Sequence, residues 1–348
     1  MDKFLKGGII GFGKMGIAHS AILNSLENNS VKAICENSDF INSFLKKSFK
    51  NINLYKNFDE LIDKEKLDYV FITSPNKFHK EHIVKSIESD LNFFVEKPTA
   101  MNDEEIDEIL DVYQKHQKKI SMVGFMMRYV NSFKKAKHIL DQKIIGDVIN
   151  FQATMYVSQV FKKGTGWRYD KKSSGGGVIM AHSSHLIDLL CWYLGYPSRI
   201  EAKCHKFYSD EIEDYGHIFF EYNDNKFGWI DCSWSADNYR TLTTNIKISG
   251  SNGEIRVGDD FLEVFLKDSI GDYNAGWHYF DKIDLYTPSA FDIGQDGYSD
   301  QNQDFIRKIQ SNDPEDIKSN IYNGCIIQKI ISKIYKSSSQ NKYIEFNG

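Results

Sequence analysis

Gly11, Gly13 and Gly16 fall in the run Gly11-Phe12-Gly13-Lys14-Met15-Gly16, directly after the apolar stretch Gly7-Gly8-Ile9-Ile10. G-x-G-x-x-G between a short strand and a helix, here predicted over residues 19–26, has a specific use. Gly11 permits a tight turn, Gly13 lets the backbone approach a pyrophosphate, and Gly16 lets the helix pack close to the sheet. The helix N-terminus then presents unpaired N–H groups and the positive end of its dipole to phosphate. A second apolar strand, residues 31–35, ends in Glu36, twenty residues after Gly16. A carboxylate there can accept from both hydroxyls of an adenine ribose and would repel a 2′-phosphate, while Asn37 and Ser38 bring no arginine to attract one. A tight turn beside an incidental acid would account for the glycines alone. Strand, turn, helix and acid in this order point to a dinucleotide, NAD rather than NADP.

Ligands of open α/β sheets bind beyond the carboxyl ends of the strands. One such end is Thr73-Ser74-Pro75-Asn76, with His79 one helical turn on; its hydroxyls, amide and imidazole suit ribose and phosphate. The same residues also read as a proline turn and a helix cap, and the two readings are compatible. Another end is Glu96-Lys97-Pro98. A lysine fixed before a proline at a buried strand end is a charge held where it is costly unless used, and pairing with Glu96 is the plainer alternative. A third cluster lies downstream, where Gly175-Gly176-Gly177 leads into a helix carrying His182, His185 and Asp188. His185 and Asp188, three apart, share a helix face, so Asp188 could hold the imidazole in one tautomer for general-base work. A lone helical histidine is more often structural, and only its surroundings argue otherwise.

The whole set resembles the Gfo/Idh/MocA oxidoreductase family. It comprises G-F-G-K-M-G, Ser74-Pro75-Asn76 with His79, Glu96-Lys97-Pro98, Gly124-Phe125 with Arg128-Tyr129, Trp167-Arg168, and the triple glycine with His185 and Asp188. These run in the family's order over nearly the whole chain. The resemblance implies a Rossmann domain followed by a large, mostly antiparallel open-faced sheet, through which members form homodimers or homotetramers. It implies that Lys97 sits between nicotinamide and substrate, that the bond before Pro98 is cis, and that His185 is the catalytic histidine, supported by His182 or Asp188. Trp167 and Arg168 would lie near the nicotinamide. The remaining cofactor contacts would come from Gly11 to Gly16 (Phe12, Lys14 and Met15 included), Glu36, Thr73, Ser74, Pro75, Asn76, His79 and Glu96. Arg128, Tyr156 and His182 join Lys97 and His185 as substrate contacts. One departure is Ala181, where dehydrogenases of this group often carry Asp; it leaves substrate and direction open. The implied activity is NAD-dependent hydride transfer at a hydroxyl or keto carbon of a sugar, sugar derivative or cyclic polyol. Two alternatives stand beside it: glycoside cleavage through a transient oxidation, and a non-catalytic regulator of the same fold. Retention of both Lys97 and His185 speaks against the regulator.

The elements that must position these groups follow from the apolar pattern. Over residues 1–124, strands at 31–35, 54–55, 69–73, 92–95 and 120–123 alternate with helices at 39–48, 58–63, 77–89 and one capped by Asn102, with acids in its first turn. Such alternation implies a parallel sheet covered on both faces. Residues 125–348 change character: a helix at 133–141, a strand at 148–157, a Gly-rich loop at 162–177 and an apolar helix at 178–194. Strands then fill 200–257, with hairpin signals at Asn223-Asp224-Asn225 and Ser251-Asn252-Gly253. Helices at 300–310 and 314–335 finish the chain. The expected architecture is therefore an α/β Rossmann domain, 1–124, and an α+β sheet domain, 125–348.

A net charge of −5, from 43 basic and 48 acidic residues, gives no nucleic-acid footprint. Five cysteines without C-x-x-C spacing read as buried thiols, with neither a zinc site nor disulfides. No apolar run approaches the roughly 18 residues that span a bilayer, and no signal peptide precedes the first strand, so the cytoplasm is expected.

Overall fold

The computed structural model describes residues 3–116, 119–288, 297–313 and 319–346, excepting the side chain of Trp167. The elements run β1 (Leu5–Ile10), α1 (Lys14–Ser25), β2 (Asn29–Cys35), α2 (Asp39–Ser48), β3 (Asn53–Tyr55), α3 (Phe58–Lys64), β4 (Tyr69–Ile72), α4 (His79–Glu88), β5 (Asn92–Val95), α5 (Asp103–Lys115) and β6 (Ser121–Val123). They continue with α6 (Asn131–Asp141), β7 (Val148–Tyr156), α7 (Lys171–Ser174), α8 (Ser184–Leu194), β8 (Arg199–His205), β9 (Tyr215–Glu221), β10 (Phe227–Ser233) and β11 (Thr243–Gly250). The last are β12 (Gly253–Gly258), β13 (Leu262–Leu266), β14 (Gly276–Phe280), α9 (Gly297–Ser311), α10 (Ile321–Gln340) and β15 (Ile344–Glu345). The chain forms two compact units: the described residues of Met1–Met126 with Ser289–Gln328, and of Met127–Pro288 with Lys329–Gly348.

In the first unit, six parallel strands take the order β3-β2-β1-β4-β5-β6. All four residues of β4 are buried, so that strand carries no polar alternation, as cover on both faces requires. The order reverses between β1 and β4, which sets Gly11 beside Thr73 and Ser74 at the crevice where open sheets take ligands. α1 begins at Lys14, five residues before the predicted start, because the glycines of its first turn masked the helical pattern. Asn102 caps α5 by accepting from the Glu105 N–H, as its position in the sequence suggested.

The expected division at residue 124 needs correction. α9 belongs to the first unit. Phe305 packs edge-on against Tyr69, Phe71 and Phe94 at centroid distances of 5.8, 5.3 and 6.2 Å. Gln301 Nε2 donates to the Val123 carbonyl at 3.1 Å, and the Ser319 hydroxyl donates to the same oxygen at 3.0 Å. Aromatic surface on the first unit's sheet is thus buried by a segment more than two hundred residues downstream in the chain. The predicted start of the last helix, at Pro314, lies outside the described residues.

The second unit is built on nine strands in the order β14-β13-β12-β11-β7-β10-β9-β8-β15, antiparallel except for the β7–β10 pair. Every second residue of β11, and of β7 from Phe151 onward, is buried, including Phe151, Ala153, Met155, Ile246 and Ile248. α6 packs on β12 and β13 and meets α8 over this apolar face. The opposite face carries polar and aromatic groups, among them exposed Phe219, Phe227 and Tyr279. The hairpin at 223–225 turns through Asn225 in the left-handed region, φ 64°. The expected helix over 178–194 is instead a π turn, Ile179–Ser183, running into α8.

Phe305→Ala is expected to destabilise the first unit by about 3–5 kcal/mol, the usual cost of emptying a buried phenylalanine site. Thermal unfolding followed with and without NADH checks it; an unchanged midpoint would detach α9 from that core.

Candidate active site

The glycine turn is forced by close backbone approach. A Cβ on Gly11, which has φ +90°, would stand 2.7 Å from the Ser74 Cα, and one on Gly16 would stand 2.3 Å from the Gly11 carbonyl oxygen. Thr73 Oγ1 donates to that same carbonyl at 2.6 Å. The Thr73 hydroxyl, expected to meet the cofactor, is therefore committed to the turn. Gly13 differs: a Cβ there meets nothing within 4 Å, so no neighbour among the described residues requires glycine. α1 has no side-chain cap and no acid in its first turn. Open space above Gly13 and an uncapped helix N-terminus fit a pyrophosphate.

Glu36 ends β2 with both oxygens fixed, Oε2 accepting from the Phe12 N–H and Oε1 from the Ser38 N–H, each at 2.8 Å. Each oxygen keeps a lone pair for a ribose hydroxyl. Beside it opens a cleft of about 410 Å³, lined among others by Gly11, Glu36, Ser38, Ser74, Pro75 and His82. His82, which the sequence reading missed, meets the Ser74 hydroxyl through Nδ1 at 2.9 Å. Burial pushes its imidazole down to about 4, so it is neutral near pH 7. Its only signal in the sequence was its place one turn after His79.

His79, expected among the cofactor contacts, has both ring nitrogens turned to backbone oxygens. The ring is fully buried, with Nδ1 2.6 Å from the Pro98 carbonyl and Nε2 2.7 Å from the Ser74 carbonyl. Both oxygens can only accept, so the ring serves both at once only as imidazolium, a form that burial disfavours. The His79 ring stands between the turn after β4 and the turn after β5, and as a neutral imidazole it donates to one of the two carbonyls. Glu96 is likewise turned inward, its Oε1 2.9 Å from Nε2 of the buried His19, whose Nδ1 meets Asn302 at 3.0 Å. Between these two anchored residues stands Lys97, half-buried, with a cis bond to Pro98. Asn76 opens a short 3-10 turn ahead of α4. Lys14 is exposed and Met15 half-buried at the start of α1.

In the second unit the triple glycine is explained by packing. A Cβ on Gly177 would lie 1.8 Å from the Glu213 carbonyl oxygen. The buried Glu213 carboxylate accepts from the N–H groups of Gly177 and Ile179 and from the Tyr335 hydroxyl, at 2.9, 3.1 and 2.9 Å. A carboxylate thus caps the segment that carries the histidines. Burial pushes its pKa up. Nothing in the sequence separated Glu213 from the neighbouring acids Asp210, Glu211 and Asp214. The π turn, a rare form that recurs at functional sites, holds Ala181 and His182. The His182 ring stands edge-on to Trp234 at 5.8 Å, and His185 follows in the first turn of α8, 7% exposed.

Asp188 and Arg128 need reassignment. Arg128 donates through Nε and Nη2 to the two Asp188 oxygens at 2.7 and 2.6 Å, with both side chains buried. The planar guanidinium fork matches a carboxylate bidentately. Asp188 is therefore Arg128's partner and not hydrogen-bonded to His185, and the bulk of Arg128 is internal. Burial pushes the Asp188 carboxyl up against the pull of Arg128. Tyr156 is half-buried and donates its hydroxyl to Asp231 at 2.5 Å, on the open face of the sheet. Arg168 is exposed in a 3-10 turn with Trp167, whose side chain lies outside the described residues. Among the described residues no cluster of metal-ligating side chains occurs, and no helix is long and apolar enough to cross a membrane.

Residues 5–125 match the model of the oxidoreductase family with an NAD-binding Rossmann fold, and residues 133–256 match the GFO/IDH/MocA C-terminal domain. The chain belongs to the Gfo/Idh/MocA oxidoreductase family, and its first unit is an NAD-binding Rossmann domain. Glucose-6-phosphate 3-dehydrogenase of Bacillus subtilis is 30% identical over 198 residues, 54% of this chain and 53% of that protein. The 2,7-anhydro-N-acetylneuraminate hydratase of Mediterraneibacter gnavus is 24% identical over 258 residues, 72% of this chain and 66% of that protein. The matches thus span about half to two thirds of the length of such curated relatives. A solved structure of levoglucosan dehydrogenase with NADH and levoglucosan shares the fold, with a TM-score of 0.85 at 21% identity over 99% of this chain and 100% of that one.

Asp188→Ala is expected to cost about 3–5 kcal/mol, because it takes the carboxylate partner from a buried guanidinium, whereas Arg128→Met/Asp188→Leu regains much of the loss. Denaturant unfolding of the three proteins checks this, and a double variant as unstable as Asp188→Ala would contradict it.

Proposed function

We propose that the protein is an NAD-dependent dehydrogenase or reductase acting at a hydroxyl or keto carbon of a sugar, sugar derivative or cyclic polyol. The observation that carries this reading is the setting of Lys97. An ammonium is held at the carboxyl end of β5 between an inward Glu96 and a Pro98 whose carbonyl is bonded by His79. A protein that only bound NAD would have no need to fix a lysine there. The names of the relatives, a sugar-phosphate dehydrogenase and an anhydrosugar hydratase, agree with a carbohydrate substrate. Bound NAD supplies the hydride acceptor or donor. Lys97 would hydrogen-bond the reacting oxygen and stabilise the charge that develops on it in a low-dielectric setting. His185 would take the hydroxyl proton in oxidation and return one in reduction. Asp188, bound to Arg128, has no part in that transfer.

The hydratase among the relatives favours one second reading, a reaction with no net redox change on tightly held NAD. Its sign would be product forming without NADH accumulating. The open sheet face, with its exposed Phe219, Phe227 and Tyr279, is the surface through which we propose a homodimer or homotetramer forms. Sedimentation equilibrium should return a mass above 40.2 kDa, and a monomer at micromolar concentration would remove that proposal.

Free sugars, sugar phosphates, inositols and nucleotide sugars should be screened by NADH absorbance and by product analysis. On the substrate so found, Lys97→Met and His185→Ala are each expected to lower turnover at least about 100-fold while NADH titration stays near wild type. Near-normal turnover in either variant would refute that residue's role.

A further inference from the structure

The nucleotide cleft is lined by two lysines, and each has a carboxylate partner. Lys85 is bound by Asp59 at 2.9 Å and by Glu81 at 3.1 Å. Lys56 directly follows β3, whose last carbonyl, on Tyr55, accepts from the Glu36 N–H at 2.9 Å. That bond aligns the ends of β2 and β3, so Lys56 lines the same cleft as Glu36, Asn37 and Ser38. The Lys56 Nζ lies 2.7 Å from Asp39 Oδ1, in the first turn of α2. The bond to Lys56 holds the Asp39 carboxyl below its ordinary range, with Lys46 of the same helix adding to the pull.

We propose that Asp39 is a specificity-determining residue for the cofactor: by pairing with Lys56 it competes for a cation that a 2′-phosphate near Glu36 would need. Discrimination against NADP is then built from two carboxylates with different tasks. Glu36 repels the phosphate and accepts from the ribose. Asp39 pairs with the compensating lysine. Around the ribose end Glu36 and Asp39 face Lys56, with Lys46 also near Asp39, and replacing Asp39 with a neutral residue removes one negative charge. This inference rests on NAD binding by the first unit and not on the reaction proposed above.

The experiment is titration of wild type, Asp39→Asn, Lys56→Met and the double variant with NADH and NADPH, read by cofactor fluorescence at low and at moderate salt. Asp39→Asn is expected to tighten NADPH about three- to tenfold, the effect of one unit charge at a few ångströms near the surface, and to leave NADH within about twofold. The gain should vanish in the double variant and shrink with added salt. An unchanged NADPH affinity in Asp39→Asn, an equal gain for NADH, or a gain that survives Lys56→Met would each overturn the proposal. Wild type binding neither cofactor would instead count against the NAD site itself. Asp39 is exposed and Ser38 supplies the helix cap, so α2 should fold in every variant, and circular dichroism confirms it.

Discussion

Two stretches of backbone cross at the end of β1 with no room for a side chain between them. The Gly11 carbonyl stands where a Cβ of Gly16 would be, and the Ser74 backbone stands where a Cβ of Gly11 would be. This crossing lets α1 start at once, aims its N-terminus along the row of strand ends, and seats β4 against β1. The third glycine has no such internal reason, since a Cβ on Gly13 meets nothing. The space there is kept for something outside the protein. A pyrophosphate is the group that an uncapped helix N-terminus and bare backbone suit.

Around that crossing, buried polar groups fix the loops that bear chemistry. Glu36 binds the N–H groups of Phe12 and Ser38, His79 stands between the carbonyls after β4 and β5, and Glu96 is anchored by His19. The contacts of Glu36 with Phe12, of His79 with Pro98 and of Glu96 with His19 link segments distant in sequence, and Lys97 stands between the last two. His79 and Glu96 thus serve position, although their places in the sequence suggested direct contact. In the second unit Glu213 does the same for the start of the histidine-bearing segment, and Arg128 draws Asp188 into a buried pair. A buried carboxylate takes the partner with the best-matched donors, and a bidentate guanidinium surpasses an imidazole three residues away on the same helix.

Much of the local structure was legible from the residues. The apolar strands of the first unit, the Asn102 cap and the hairpin at Asn225 each rest on a preference that acts within a few residues. The start of α1 and the π turn at Ile179–Ser183 were not legible. Glycines conceal helical periodicity, and an i→i+5 turn leaves nearly the same apolar pattern as an α-helix.

What the sequence alone determined was the βαβ order, the glycine turn with Glu36 after it, and the placing of Lys97 before Pro98, because each depends on neighbours in the chain. The tertiary structure decided the neighbours of the buried titratable groups: His79 between two carbonyls, Asp188 with Arg128, Glu213 with the 177–179 backbone. It also returned α9 to the first unit, where Phe305 closes an aromatic cluster with Tyr69, Phe71 and Phe94. Hydrogen bonds and packing choose among all groups that folding brings within a few ångströms, and separation along the chain has no bearing on that choice.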